Sequence, residues 1–179
     1  MPQSPRRCPA CGFDHRSVGP ADAAAAARSF PRRFRGLLVR PDEDDPAIVH
    51  RSPGPGEASA LDHAAAAAHG MAAAARSLTQ VQVHDGVGVD LGPDPGDGRV
   101  AGEARRQSLE DVLGQVTQAA GDLADAIESV HGDAWARTGL LPGAGEVHAL
   151  DIARAGVHAG SHQLRVAERV LSRARLLPR

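Results

Sequence analysis

The chain contains no lysine, no asparagine and no tyrosine, and aromatics make up only 2% of its 179 residues. Without lysine there is neither a Schiff-base amine nor the cation of a phosphate-binding P-loop. With so few aromatics there is no platform for stacking bases, and a formal net charge of -2 offers no electrostatic basis for nucleic-acid binding. No run of about twenty apolar residues occurs, so no membrane span and no membrane partner are expected. The opening MPQSPRRCPACGFD lacks the apolar stretch of a signal peptide. Two cysteines are too few for a disulfide framework, and a reducing cytoplasm is the expected location. No nucleophilic serine stands out, because Ser161 within AGSHQ falls in a helical pattern rather than on a strand-to-helix elbow. The Gly-rich stretch at 92–98 follows no buried strand and carries aspartates that would repel phosphate.

Alanine, glycine, proline and arginine are abundant, a bias better explained by a high-GC coding sequence than by mechanism. Much of the 42% hydrophobic content is alanine, which favours helix but buries little area. Closely approaching helices and modest stability follow, and there is room for a homodimer that buries further surface.

The periodicity predicts an all-α protein, an antiparallel four-helix bundle. A leader over 1–19 carries a CxxC, and the bundle occupies 20–179. The first helix starts at Pro20, a favourable first helical position, and Pro31 is expected to end or kink it before Arg32–Val39 resumes. Residues 41–57 read as a loop. The second helix follows Ser59 as N-cap, with Leu61, Ala65, Ala68, Ala72, Ala75 and Leu78 on one face. QVQVHDGVGVDL then alternates with period two around Asp85-Gly86, the pattern of a hairpin, and 92–102 extends a long loop. Ser108 and Asp111 form a capping box for the third helix, which runs to His131-Gly132. A loop with Trp135 and Pro142-Gly143 leads to a fourth helix over 146–172.

That last helix holds VHAGSHQL. His158 and His162 are four positions apart, so both imidazoles lie on one face, about 5–6 Å apart at Cβ. Two imidazoles so placed can share a metal. Asp151, seven positions before His158, lies close to the same line and is a candidate to orient an imidazole from outside the coordination sphere. Arg165 and Arg169 share this sector, with Arg154 and Glu168 nearby, so a plain solvated face is the competing reading. Further ligands would come from the second helix, which offers His63 and His69. His15, His50 and His84 read as ordinary loop histidines. Cys8-Pro9-Ala10-Cys11 lacks the nearby second CxxC or histidine pair of a zinc ribbon and reads as local structure, with a redox pair as the alternative because Arg6 and Arg7 would favour thiolate at Cys8.

CPACGFD, PGEASALDHAA entering the second helix, GDAWARTG, and LDIARAGVHAGSHQL on the fourth occur in an order that resembles the DinB-like superfamily, in particular its small actinobacterial-type members. The resemblance covers nearly the whole chain. It implies a four-helix bundle, often dimeric, with a divalent metal, zinc or nickel, held by three histidines. Two of these match His158 and His162. The helix-2 ligand does not carry over: the pattern places it at Ala66 and its usual tryptophan at Ala58. His63 and His69 flank Ala66 by one turn each and are the candidate substitutes, His69 the preferred one. Related members are transferases and isomerases that use a low-molecular-weight thiol such as mycothiol or bacillithiol, the metal turning that thiol into a thiolate. The resemblance thus implies a thiol-using transferase or detoxification protein acting on a small-molecule substrate, with its catalytic residues unassigned. The alternative is a metal-free bundle that serves as a binding or interaction module.

Overall fold

Alanine-rich segments, each with one bulkier apolar face, build four long helices: α1 (Pro20–Leu38), α2 (Ala60–Val83), α3 (Leu109–Glu128) and α4 (Ala149–Arg175). The computed structural model describes residues 7–39, 46–93, 104 and 106–177. The expected capping box at Ser108 and Asp111 forms, and the expected N-cap Ser59 forms one as well, with Asp62. Ser59 Oγ accepts from the Asp62 backbone N–H while an Asp62 carboxylate oxygen accepts from the Ser59 N–H, and Ser108 and Asp111 repeat the arrangement.

α1 continues through Pro31 to Leu38 and does not end at the proline. A mid-helix proline removes one backbone hydrogen bond. Here Phe30, Phe34 and Leu38 lie at four-residue steps and are all buried, so packing of one continuous face outweighs that loss.

The helices pair in an order different from their order in the chain. α2 packs on α4 and α3, and α1 packs on α3 and α4, leaving α1/α2 and α3/α4 as diagonals. α2 and α4 run antiparallel, since His63 meets Gln163 while Gly70 meets Ala159 and Gly156 meets Ala74. α1 and α3 do likewise, with Arg28 against Glu128 and Arg35 against Glu110. These exposed ion pairs contribute little each.

Small residues let the backbones approach. A Cβ on Gly156 would lie 2.7 Å from Ala74 Cβ, and one on Gly160 would lie 2.6 Å from the Phe30 ring. The core between the helices includes Leu61, Met71, Leu78, Leu123, Ile127 and Leu171, all fully buried.

The hairpin expected around Asp85-Gly86 does not form. QVQV belongs to the last turn of α2, where Val81 is buried while Val83 is 65% exposed. Helical burial of Val81 therefore decides against the period-two pattern, which a short segment satisfies by chance. Val87–Gly88 forms a short strand, β1, which pairs in parallel with β2 (Thr138–Leu141). β2 pairs antiparallel with β3 (Gly145–His148), turning at Pro142-Gly143, so a small sheet stands where a loop was expected. It also delays α4 to Ala149. Within the expected 41–57 loop, Pro46–His50 makes a 3-10 turn that buries Ile48 and Val49. Most of the 92–102 loop lies outside the described residues. Among the described residues no helix is long and apolar enough to cross a membrane.

Candidate metal centre

The leader folds back onto α4. Cys8 N–H donates to Phe13 O and Gly12 N–H to Cys8 O, both at 2.8 Å, closing a tight turn around Cys8–Cys11. Gly12, with φ at +76°, supplies the left-handed residue that lets the chain reverse. Two arginines of α4 clasp this segment at its ends: Arg169 donates to Ala10 O and Arg154 to Val18 O, each at 2.9 Å.

This docking brings together four metal-binding side chains. The thiols of Cys8 and Cys11 and one ring nitrogen each of His158 and His162 all lie within 4.8 Å of one another. Cys8 Sγ is already 3.5 Å from His162 Nδ1. Zinc held at about 2.3 Å from sulfur and 2.0–2.1 Å from nitrogen places tetrahedral donors roughly 3.3–3.8 Å apart. Modest side-chain rotations therefore close the set around one ion. The solvated-face reading of the histidine pair is overturned, because His158 is 9% and His162 4% exposed. The Phe13 ring stacks on His158 at 5.2 Å and His15 meets it edge-on at 4.8 Å, so His15 is not an ordinary loop histidine.

The donor chemistry fits a cation. Burial pushes the Cys11 thiol up from its ordinary value; the Phe13 backbone N–H pulls it down, and the adjacent Cys8 raises it again. Two neighbouring thiols resist holding two negative charges, whereas a divalent ion between them stabilises both as thiolates.

The other expected residues are placed elsewhere. His63 is buried on α2, and its Nδ1 donates to Gln163 Oε1 at 2.7 Å. His69 is exposed, with its ring beside Gly92. Asp151 pairs with Arg154 at 3.2 Å. The cluster thus joins the histidine pair of α4 to the leader cysteines, and neither His63 nor His69 belongs to it. Sequence reasoning set Cys8 and Cys11 aside because it sought their partners nearby, although Cys8 and His162 are 154 positions apart. The available signal was complementary: two half-sites, CxxC and HxxxH, together offer four candidate ligands.

Burial pushes the His63 imidazole below its ordinary value of 6.5, partly offset by Gln163 and Asp62. The folded state therefore prefers neutral His63 while the unfolded chain still takes up a proton, so stability falls as pH drops below about 6.5. Chelator-treated protein is expected to melt at lower temperature at pH 5.5 than at pH 7.5, and His63→Gln to flatten that dependence. Equal slopes for the two proteins would contradict it.

No family model matches the sequence, and no curated protein does. Among solved structures the chain is similar to YfiT from Bacillus subtilis, described as a probable metal-dependent hydrolase with an unusual four-helix bundle topology. The TM-score is 0.67 over 86% of each chain, at 9% sequence identity. That likeness is one of fold.

Proposed function

We propose, from the DinB-like four-helix fold as premise, that this protein binds one divalent ion, zinc by preference, through Cys8, Cys11, His158 and His162. The observation that carries the reading is the convergence of these four donor atoms within 4.8 Å. Two thiolates and two imidazoles are a soft, tetrahedral donor set that suits zinc better than the harder divalent cations. All four positions are filled by the chain itself, which is the pattern of a structural centre rather than of one with an open catalytic position.

A thiol-using transferase is the second reading, and one observation favours it: Cys11 is partly exposed, whereas Cys8 is buried. A bound divalent metal would supply the means to hold a thiol as a nucleophilic thiolate. Cys11 would swing out to make room for a low-molecular-weight thiol, while Cys8, His158 and His162 kept their places. The substrate would then be a small electrophile.

Metal analysis of protein purified without a histidine tag tests the reading. About one zinc per chain is expected, with a thiolate-to-metal charge-transfer band after cobalt substitution. Binding should weaken as pH falls, since imidazole and thiolate ligate only when deprotonated. Metal that survives replacement of both cysteines by serine but disappears in His63→Ala would move the centre to α2 and overturn the assignment. A protein that holds no metal, with an unchanged melting temperature in chelator, would leave the metal-free interaction module.

A further inference from the structure

We infer that the leader is an oxidant-released latch: a peroxide-class oxidant joins Cys8 to Cys11, expels the ion and detaches the leader from α4. The inference rests on the metal reading above.

Three observations carry it. First, the two thiols sit on one tight turn with their sulfurs within 4.8 Å of each other, so rotation of the two side chains is the movement that would bring them to bonding distance. Second, their exposure differs. Cys11 is partly open to solvent and Cys8 is buried, the arrangement of an attacking and a resolving thiol. Third, the leader buries little of itself. Between Arg7 and Gly19, Cys8 is the one buried residue; two arginine contacts, the packing of Phe13 and His15 on His158, and the half-buried Phe13 and Val18 against the core help to hold the segment. A segment with so few buried contacts opens at small free-energy cost once its central anchor is gone.

The chemistry balances. Cys11 thiolate attacks one peroxide oxygen, the O–O bond breaks, and one water leaves after protonation, giving a sulfenic acid. Cys8 thiolate then attacks that sulfur and expels hydroxide, which takes a proton to become the second water. Two thiolates lose two electrons, peroxide gains two, and two protons are consumed. The divalent ion departs because a disulfide is a far poorer ligand than a thiolate pair. His158 and His162 remain on α4, and two imidazoles alone hold zinc weakly.

The test uses zinc-loaded full-length protein and hydrogen peroxide. A chromogenic chelator reads released zinc, thiol titration reads the cysteines, and mass spectrometry maps the bond. Expected is one zinc released for every two thiols lost, a Cys8–Cys11 disulfide, and faster tryptic cleavage after Arg16. Dithiothreitol with added zinc should reverse all three. Zinc retained with both thiols intact, under conditions that oxidise a free peptide of the same CxxC segment, overturns the latch alone. Oxidation to sulfinic acid without a disulfide does so too. Zinc content is measured before oxidant is added: a chain that takes up none removes the metal reading and the latch with it, a result distinct from the other two.

Discussion

Cys8→Ser is expected to lose zinc and to lower the melting temperature by roughly 8–16 °C while leaving far-UV circular dichroism almost unchanged. An ion present at about 1,000 times its dissociation constant stabilises the folded state by about 4 kcal/mol. For a chain of this size each kcal/mol corresponds to roughly 2–4 °C. The helices persist because their core is independent of the leader: Leu61, Met71, Leu123, Ile127 and Leu171 are buried between helices and none belongs to the centre. His162→Ala should behave alike, and excess chelator should reproduce both variants in the wild-type chain. A melting temperature within about 2 °C of wild type, measured with zinc present, would show that the ion contributes less than about 1 kcal/mol.

The second large effect concerns the contact beneath the histidine pair. Phe30 is fully buried, and its ring occupies the space where Gly160 lacks a side chain. Phe30→Ala should cost about 3–5 kcal/mol, through lost burial plus the cavity left behind. Gly160→Ala meets the opposite problem. Its new methyl would sit 2.6 Å from Phe30, so one of the two helices must shift. Overpacking of this kind costs about 1–3 kcal/mol, against which alanine returns up to about 1 kcal/mol of helix propensity. Combining Gly160→Ala with Phe30→Leu makes room for the methyl, and the pair should be less destabilising than the sum of the single changes. Chemical denaturation of the four proteins measures the coupling, and strict additivity would show that ring and glycine do not share this space. Because Gly160 lies between His158 and His162, the single change should also weaken zinc binding.

Local rules were legible in the sequence and non-local pairings were not. The Ser59 N-cap, the Ser108/Asp111 box and the apolar faces of α2, α3 and α4 are encoded within a few residues, and α2 and α3 start where those caps stand. The expected break at Pro31 failed because burial of Phe30 and Phe34, a tertiary term, outweighs one lost hydrogen bond. The parallel pairing of Val87–Gly88 with Gly139–Leu140 joins distant segments, and nothing in either of them names the other. The same holds for the metal centre. His158 and His162 were visible as a pair, yet the arginines beside them spoke for a wet surface until the leader was seen to cover it. Arg169 donates to Ala10 O and so helps hold that cover in place.

The separation of 154 positions between Cys8 and His162 bears on how the chain is made. At about 5–20 residues per second, the ribosome emits the cysteines roughly 8–30 seconds before the last helix arrives to meet them. Throughout that interval the nascent thiols lack their imidazole partners, open to any electrophile or stray cation nearby. On the metal reading proposed above, completion of the centre is a terminal event in biogenesis, and cells starved of zinc during translation should accumulate full-length bundles whose amino-terminal segment has yet to dock.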